Sequence, residues 1–162
     1  MPVSRVVVNA SPLICLYRAG LQTLLPQLSE TVLVPDAVWE EILRGPENDP
    51  AARGLRHAPW ITRVSVPSIP TQILAWDLGR GESEVLAFAA SVQDCHAVVD
   101  DAAARRCAKA LGIPILRTGA ILVLAKQRGL ISSVSEAIGD LQRAGLWVSE
   151  PIARLLRAQA GE

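Results

Sequence analysis

Residues 5–14 read Arg5-Val6-Val7-Val8-Asn9-Ala10-Ser11-Pro12-Leu13-Ile14, and the fold turns on how that stretch is parsed. Arg5 and three consecutive valines make a short apolar run bounded by turn residues, the pattern of a strand buried on both faces. Ser11 and Pro12 then read as a helix N-cap and first helical residue, because proline lacks only an N–H that would be unpaired there anyway. Working outward, similar apolar runs recur at 31–34, 96–99 and 113–116. Segments of helical periodicity lie between them, with starts at Asp36 after Pro35 and at Thr118 before Gly119. Strands that alternate with helices across such short turns form parallel sheets with right-handed crossovers. The expected fold class is therefore α/β: a three-layer α/β/α sandwich around a central parallel sheet. A loop with one short helix is expected between Gly45 and Pro59, and two further helices at 134–144 and 150–160.

The chain has 162 residues, near the ~150 typical of one domain, so a single domain over 1–162 is expected. Half of it is apolar and 20% is charged, against an average of about 25%, which excludes a disordered or charge-coated chain. Cys15, Cys95 and Cys107 are odd in number and set among apolar neighbours, so they read as buried, reduced thiols of a cytoplasmic protein. With only His57 and His96 and no Cys-x-x-Cys pair, a zinc site lacks ligands. No apolar run is long enough to span a bilayer, so no membrane partner is expected.

Parallel α/β sheets bind ligands beyond the carboxyl ends of their strands. After the first strand comes Asn9-Ala10-Ser11-Pro12, which has no glycine to let backbone wrap a pyrophosphate, so nucleotide-binding turns lose their basis. Gly81-Glu82-Ser83-Glu84 lacks the second glycine of a nucleophile elbow. A phosphoacceptor domain needs an acid pair after the first strand, where this chain has Asn9-Ala10.

Oxygen donors do collect at strand ends: Asn9 after the first run, Asp100 and Asp101 after the third. Asp101 suits the N-cap of a helix over 102–111, whereas capping leaves Asp100 unexplained, and a carboxylate at the end of an apolar strand calls for a compensating cation. On a helix beginning at Glu82, that residue shares a stripe with Val85, Leu86 and Ala89 and is expected to point inward, with Glu84 nearer solvent. Hard oxygen donors of this kind suit Mg²⁺ or Mn²⁺. Glu40 and Glu41 flank the apolar face of the helix 36–44 equally, and spacing does not choose between them.

Val6-Val7-Val8-Asn9-Ala10-Ser11-Pro12-Leu13-Ile14, Pro35-Asp36-Ala37-Val38-Trp39-Glu40-Glu41-Ile42, Gly81-Glu82-Ser83-Glu84, and Val98-Val99-Asp100-Asp101 followed by Arg105 occur in this order. Together with Thr118-Gly119 they resemble the PIN-domain family, the nuclease fold of VapC-like toxins. The resemblance covers about residues 5–150. It implies an acidic pocket holding one or two Mg²⁺ or Mn²⁺ ions and hydrolysis of RNA phosphodiester bonds. Carried over by position, it makes Asn9, Glu41, Glu82 and Asp100 or Asp101 the catalytic and metal-ligating set, and so selects Glu41 over Glu40. The family usually has aspartate where this chain has Asn9; an amide oxygen can ligate Mg²⁺ but brings no charge. A homodimer and a small antitoxin protein are also expected from the resemblance.

The expected activity is thus a metal-dependent endoribonuclease, the toxin of a toxin–antitoxin pair, in which the ion acidifies and orients water for attack on phosphorus. Ser11 is a candidate donor to a phosphate or metal ligand, or else a plain N-cap. Arg105 is a candidate phosphate contact, or else the partner of a nearby carboxylate. The alternative is a PIN-like binding or assembly module with a weakened metal site, for which Leu146, Trp147, Ile152, Leu155 and Leu156 offer an apolar contact. Trp39, Trp60, Trp76 and Trp147 are too far apart to read as a base-stacking platform and are expected in the core or an interface.

Overall fold

In the computed structural model, which describes residues 3–162, the valine run lies at the centre of the sheet as β1 (Val3–Val8). It is flanked by β2 (Ser29–Pro35) and β4 (Cys95–Val98), and β3 (Ile61–Val64) and β5 (Ile115–Leu116) complete the order β3-β2-β1-β4-β5. All four pairings are parallel. Val7 sits opposite Leu33 on one side and Ala97 on the other. Val6, Val7 and Val8 are all buried, which is why this strand is apolar at successive positions rather than at alternate ones.

The helices are α1 (Ala10–Arg18), α2 (Leu24–Leu28), α3 (Asp36–Arg44), α4 (Pro50–Leu55), α5 (Thr71–Leu74), α6 (Arg80–Ser91), α7 (Ala102–Leu111), α8 (Thr118–Gln127), α9 (Val134–Arg143) and α10 (Glu150–Gln159). The chain winds outward from β1 through β2 to β3, then crosses back through α5 and α6 to β4 on the other side of β1 and on to β5. With right-handed crossovers, this reversal puts helices on both faces of the sheet. It also opens a crevice where β1 and β4 part company at their carboxyl ends, the usual ligand position of open α/β sheets. Among the described residues no helix is long and apolar enough to cross a membrane. The three cysteines are buried and unpaired, as their apolar neighbours imply.

Several boundaries differ from the sequence-based expectation. The edge strand β3 was not anticipated, because Ile61-Thr62-Arg63-Val64 is only partly covered and carries no apolar run. The run at 113–116 contributes just two residues to β5, which pairs with β4 alone. The first helix starts at Ala10 with Asn9 as its N-cap residue, so Ser11 is an exposed second-position residue and not the cap. The helix expected from Glu82 begins at Arg80.

That last shift accompanies a reversal of its two acids. Glu84 is 5% exposed and buried, whereas Glu82 is half-buried. α6 packs against α3 as well as the sheet, and its buried residues include Gly81, Ser83, Glu84, Val85, Leu86, Ala87 and Ala89. A single amphipathic stripe cannot describe a helix covered on more than one side. The Glu84 Oε1 accepts the Ala37 amide at 3.1 Å and its Oε2 accepts Arg80 Nε at 3.1 Å, so this carboxylate fastens the start of α3 to α6.

Candidate active site at the carboxyl rim of the sheet

The β1–α1 turn delivers Asn9 to the crevice. Its backbone is extended at φ −76° and ψ 163°, as an N-cap residue should be, yet its side chain makes no capping bond. The residue is 4% exposed, and its Oδ1 lies 3.4 Å from the point a Cβ on Gly81 would occupy. A carboxylate oxygen of Glu41, from α3, lies 3.7 Å from that same point. Gly81 at the start of α6 thus leaves open a space that Asn9 Oδ1 and Glu41 Oε1 both border.

Glu82, next along α6, is close enough to Glu41 for its charge to be felt there. Glu41 is an exposed residue, yet its carboxyl is partly desolvated: it is held above the ordinary carboxylate range first by that desolvation, then by the charge of Glu82, with Arg44 pulling in the opposite direction. Among the described residues neither glutamate forms a hydrogen bond or salt bridge.

Asp100 follows β4 and is held by the first residue of α8. Its Oδ1 accepts the Thr118 amide at 3.0 Å and its Oδ2 accepts the Thr118 hydroxyl at 2.6 Å. Thr118 is fully buried, so this clamp fixes the carboxylate's orientation while leaving lone pairs on both oxygens. Asp101 is exposed and caps α7, its Oδ2 accepting the Ala104 amide at 2.9 Å. Arg105 forms no salt bridge with a carboxylate among the described residues; its Nε donates to the backbone carbonyl of Asp100 at 3.1 Å, which steadies the strand end.

Asn9, Ser11, Glu82, Asp100 and Asp101 line one open cleft of about 710 Å³. Glu41 adjoins it beside Gly81, and Arg105 is not part of its lining. The same lining includes residues of β5, α8, α10 and the segment before α10, with Leu116, Arg117, Leu146, Trp147, Ile152 and Leu156 among them. The apolar residues that the sequence offers to a partner therefore line the same cleft as the acids. Thr118, Arg117 and Glu84 had no reading as site or support residues; the four-residue spacing of Arg80 and Glu84 was the available sign of the last.

The donors around the crevice are all oxygens, which matches hard ions such as Mg²⁺ or Mn²⁺ and not zinc or copper. Among the described residues no three His, Cys, Asp or Glu side chains are gathered closely enough to enclose an ion by themselves. Cys15, the nearby thiol, is pushed up by burial and then by Asp100, so it stays protonated and is no nucleophile.

An all-parallel α/β protein with an oxygen-lined cleft at its strand-order reversal is the class that fold and site define. A family model described as PIN domain matches residues 5–162, and the chain belongs to that family, whose fold is nuclease-like. No curated protein and no solved structure matches the chain.

Proposed function

We propose that this chain is a metal-dependent endoribonuclease of the cytoplasm, acting as one PIN-like unit and as the toxin partner of a small antitoxin protein. The observation that carries the reading is the meeting of Glu41 and Glu82, neither of them hydrogen-bonded or ion-paired among the described residues, near the amide oxygen of Asn9. Partial desolvation and the neighbouring charge of Glu82 disfavour the charged Glu41 carboxylate, which a cation joining the two acids would offset. Asn9, Glu41, Glu82 and Asp100 would hold Mg²⁺ or Mn²⁺, with Asp101 at the margin. Bound there, the ion supplies Lewis acidity toward water and toward the phosphoryl oxygens.

The chain's own groups do the positioning. Thr118 fixes the Asp100 carboxylate, Arg105 holds the Asp100 backbone carbonyl, and Gly81 leaves open the space that Asn9 Oδ1 and Glu41 Oε1 border. Ser11, exposed at the start of α1 in the same cleft, is the hydroxyl available to a phosphate oxygen. No side-chain nucleophile is needed, and the buried thiols offer none.

The test is cleavage of total RNA with Mg²⁺ or Mn²⁺ by wild type and by a Glu82→Gln/Asp100→Asn double variant. Ion-dependent cleavage by wild type alone supports the reading; equal inertness of both with either ion ends it. A second reading, a PIN-like binding module with a weakened metal site, is favoured by the uncharged Asn9 and by the absence of three gathered acids among the described residues. Growth arrest on expressing the chain alone would separate an active toxin from that module.

A further inference from the structure

Gly79 is the N-cap residue of α6, with φ −59° and ψ 160°. Any residue adopts that conformation, so the backbone does not ask for glycine. What glycine provides there is room. A Cβ at that position would lie 2.5 Å from Glu82 Oε2 and 3.6 Å from Glu82 Cδ, and apart from chain neighbours it would meet nothing else within 4 Å among the described residues. The first distance is shorter than a Cβ keeps from a non-bonded oxygen, so the two cannot share the place. We propose that Gly79 is a positioning residue of the cleft: the side chain it lacks is the seat of the Glu82 carboxylate, and that seat sets where Glu82 stands relative to Glu41. This deepens the metal-dependent reading and rests on it for what the carboxylate is positioned to bind.

Three observations assign the room to the carboxylate rather than to the fold. First, Gly79 is exposed, and no other element approaches the missing side chain. Gly54 makes the contrast: a Cβ there would run into the ring of Tyr17, so that glycine lets α4 lie against α1. Second, no bond holds Glu82 where it is. Its neighbour Arg80 is committed to Glu40 at 3.1 Å and to Glu84 at 3.1 Å, and among the described residues Glu82 has neither a hydrogen bond nor an ion pair. With no partner to steer it, the carboxylate's place depends on which rotamers are free of overlap.

Third, a glutamate at the third position of a helix commonly turns back to the N-cap amide when serine or threonine stands at the N-cap and completes a reciprocal pair. Glu82 is the third residue of α6, yet it accepts no such amide among the described residues and lines the cleft instead. A glycine N-cap has no hydroxyl to complete the pair. The run Gly79-Arg80-Gly81-Glu82 thus places two vacancies beside Arg80: one borders Asn9 and Glu41, the other is filled by the Glu82 carboxylate itself.

The test titrates Mn²⁺ alone into the metal-free full chain, following heat of binding and melting temperature, for wild type, Gly79→Ala and Gly79→Ser. Without metal both variants should melt within about 4 °C of wild type, because the overlapping atom ends a flexible side chain and serine is a favoured N-cap. Their Mn²⁺ dissociation constants should rise about tenfold, the usual effect of disturbing a ligand's support. The loss should run through Glu82: in a Glu82→Gln background, Gly79→Ala should change Mn²⁺ affinity less than about twofold. Wild-type affinity in Gly79→Ala overturns the proposal, as does an equal loss with and without the Glu82 carboxylate. Two variants that both melt far below wild type without metal would make the glycine a requirement of the fold and overturn it too. A metal-free readout separates the seat from the reading it rests on. In chain carrying isotopically labelled glutamate, the carboxyl resonance missing from Glu82→Gln should be the one that moves most in Gly79→Ala. That movement in a chain that binds no Mn²⁺ would leave the seat standing and remove the metal-dependent reading; Mn²⁺ binding and Mn²⁺-dependent cleavage indifferent to Gly79→Ala would do the reverse.

Discussion

Replacing Glu84 with alanine takes away the acceptor of the Ala37 amide and the partner of Arg80 together, in a place closed to water. The orphaned amide and the lost packing should cost about 2 kcal/mol in urea denaturation, while Glu84→Gln, which keeps Oε1 as an acceptor, should cost about half of that. A surface glutamate, as helical periodicity expects here, would move stability by no more than ~0.5 kcal/mol. Gly81 makes the opposite kind of prediction. A Cβ there meets Asn9 Oδ1 at 3.4 Å, Val38 Cγ2 at 3.5 Å and Glu41 Oε1 at 3.7 Å, which is contact without serious overlap. Gly81→Ala should therefore hold or raise stability, by up to about 0.5 kcal/mol from reduced chain freedom. The same methyl occupies the gap between the Asn9 and Glu41 oxygens, so Mn²⁺-dependent activity should fall at least tenfold. A variant that is both stable and fully active would show that nothing needs to enter that gap. The places of Asn9 and Asp100 were legible in the sequence because each follows a strand; Glu82 was picked by a periodicity that the structure reverses in favour of Glu84, and Glu41 was chosen over Glu40 by resemblance alone.

At the scale of elements, the N-terminus of α9 is closed from the far end of the chain. The Glu162 carboxylate accepts the amides of Val134 at 2.6 Å and Ser135 at 3.2 Å and faces Lys126 at 3.5 Å, and these bonds hold its acid well below the usual carboxylate range, at about 2. A depressed folded-state value stabilises the fold above the unfolded value of 4.5 and loses that effect as pH falls from 4.5 toward 2. Wild type should accordingly melt above Glu162→Gln at pH 6, and the two melting curves should converge by about pH 2; a gap that does not depend on pH would rule out the charge as its source. No sequence pattern announces a cap supplied from another helix's end. The strands β1, β2 and β4 were legible because parallel burial makes each a run of apolar residues, whereas β3 lies at the sheet edge and β5 is too short to leave a pattern. The two C-terminal helices were legible as helices, but not the place of α10 in the lining of the cleft. That place depends on Gly119, where a Cβ would come within 2.8 Å of Leu156 Cδ1, so that α10 can lie close against α8.

Across the whole molecule, folding has gathered acids that oppose one another, and this sets how stability should respond to pH and ions together. Glu41's raised value means that the folded state holds its proton longer than the unfolded chain does, so its contribution is favourable below the unfolded carboxylate value and declines as pH rises through it to the folded value. At pH 7 without divalent ions the ionised Glu41 is a burden on the fold, and Glu41→Gln should raise the melting temperature. Added Mn²⁺ should reverse that order. An ion bound only by the folded chain stabilises it by about 2.7 kcal/mol at a hundred times its dissociation constant, several degrees for a protein of this size. Because the ion competes with the proton on Glu41, its effect should be small near pH 4.5 and grow toward pH 7. Glu41→Gln should then gain from the mutation and respond little to Mn²⁺, whereas wild type should respond strongly and overtake it. Melting curves of both proteins across pH, with and without Mn²⁺, check this crossing. Parallel responses of wild type and variant would mean that the ion binds elsewhere and that the mutual repulsion of Glu41 and Glu82 is relieved by something other than a metal.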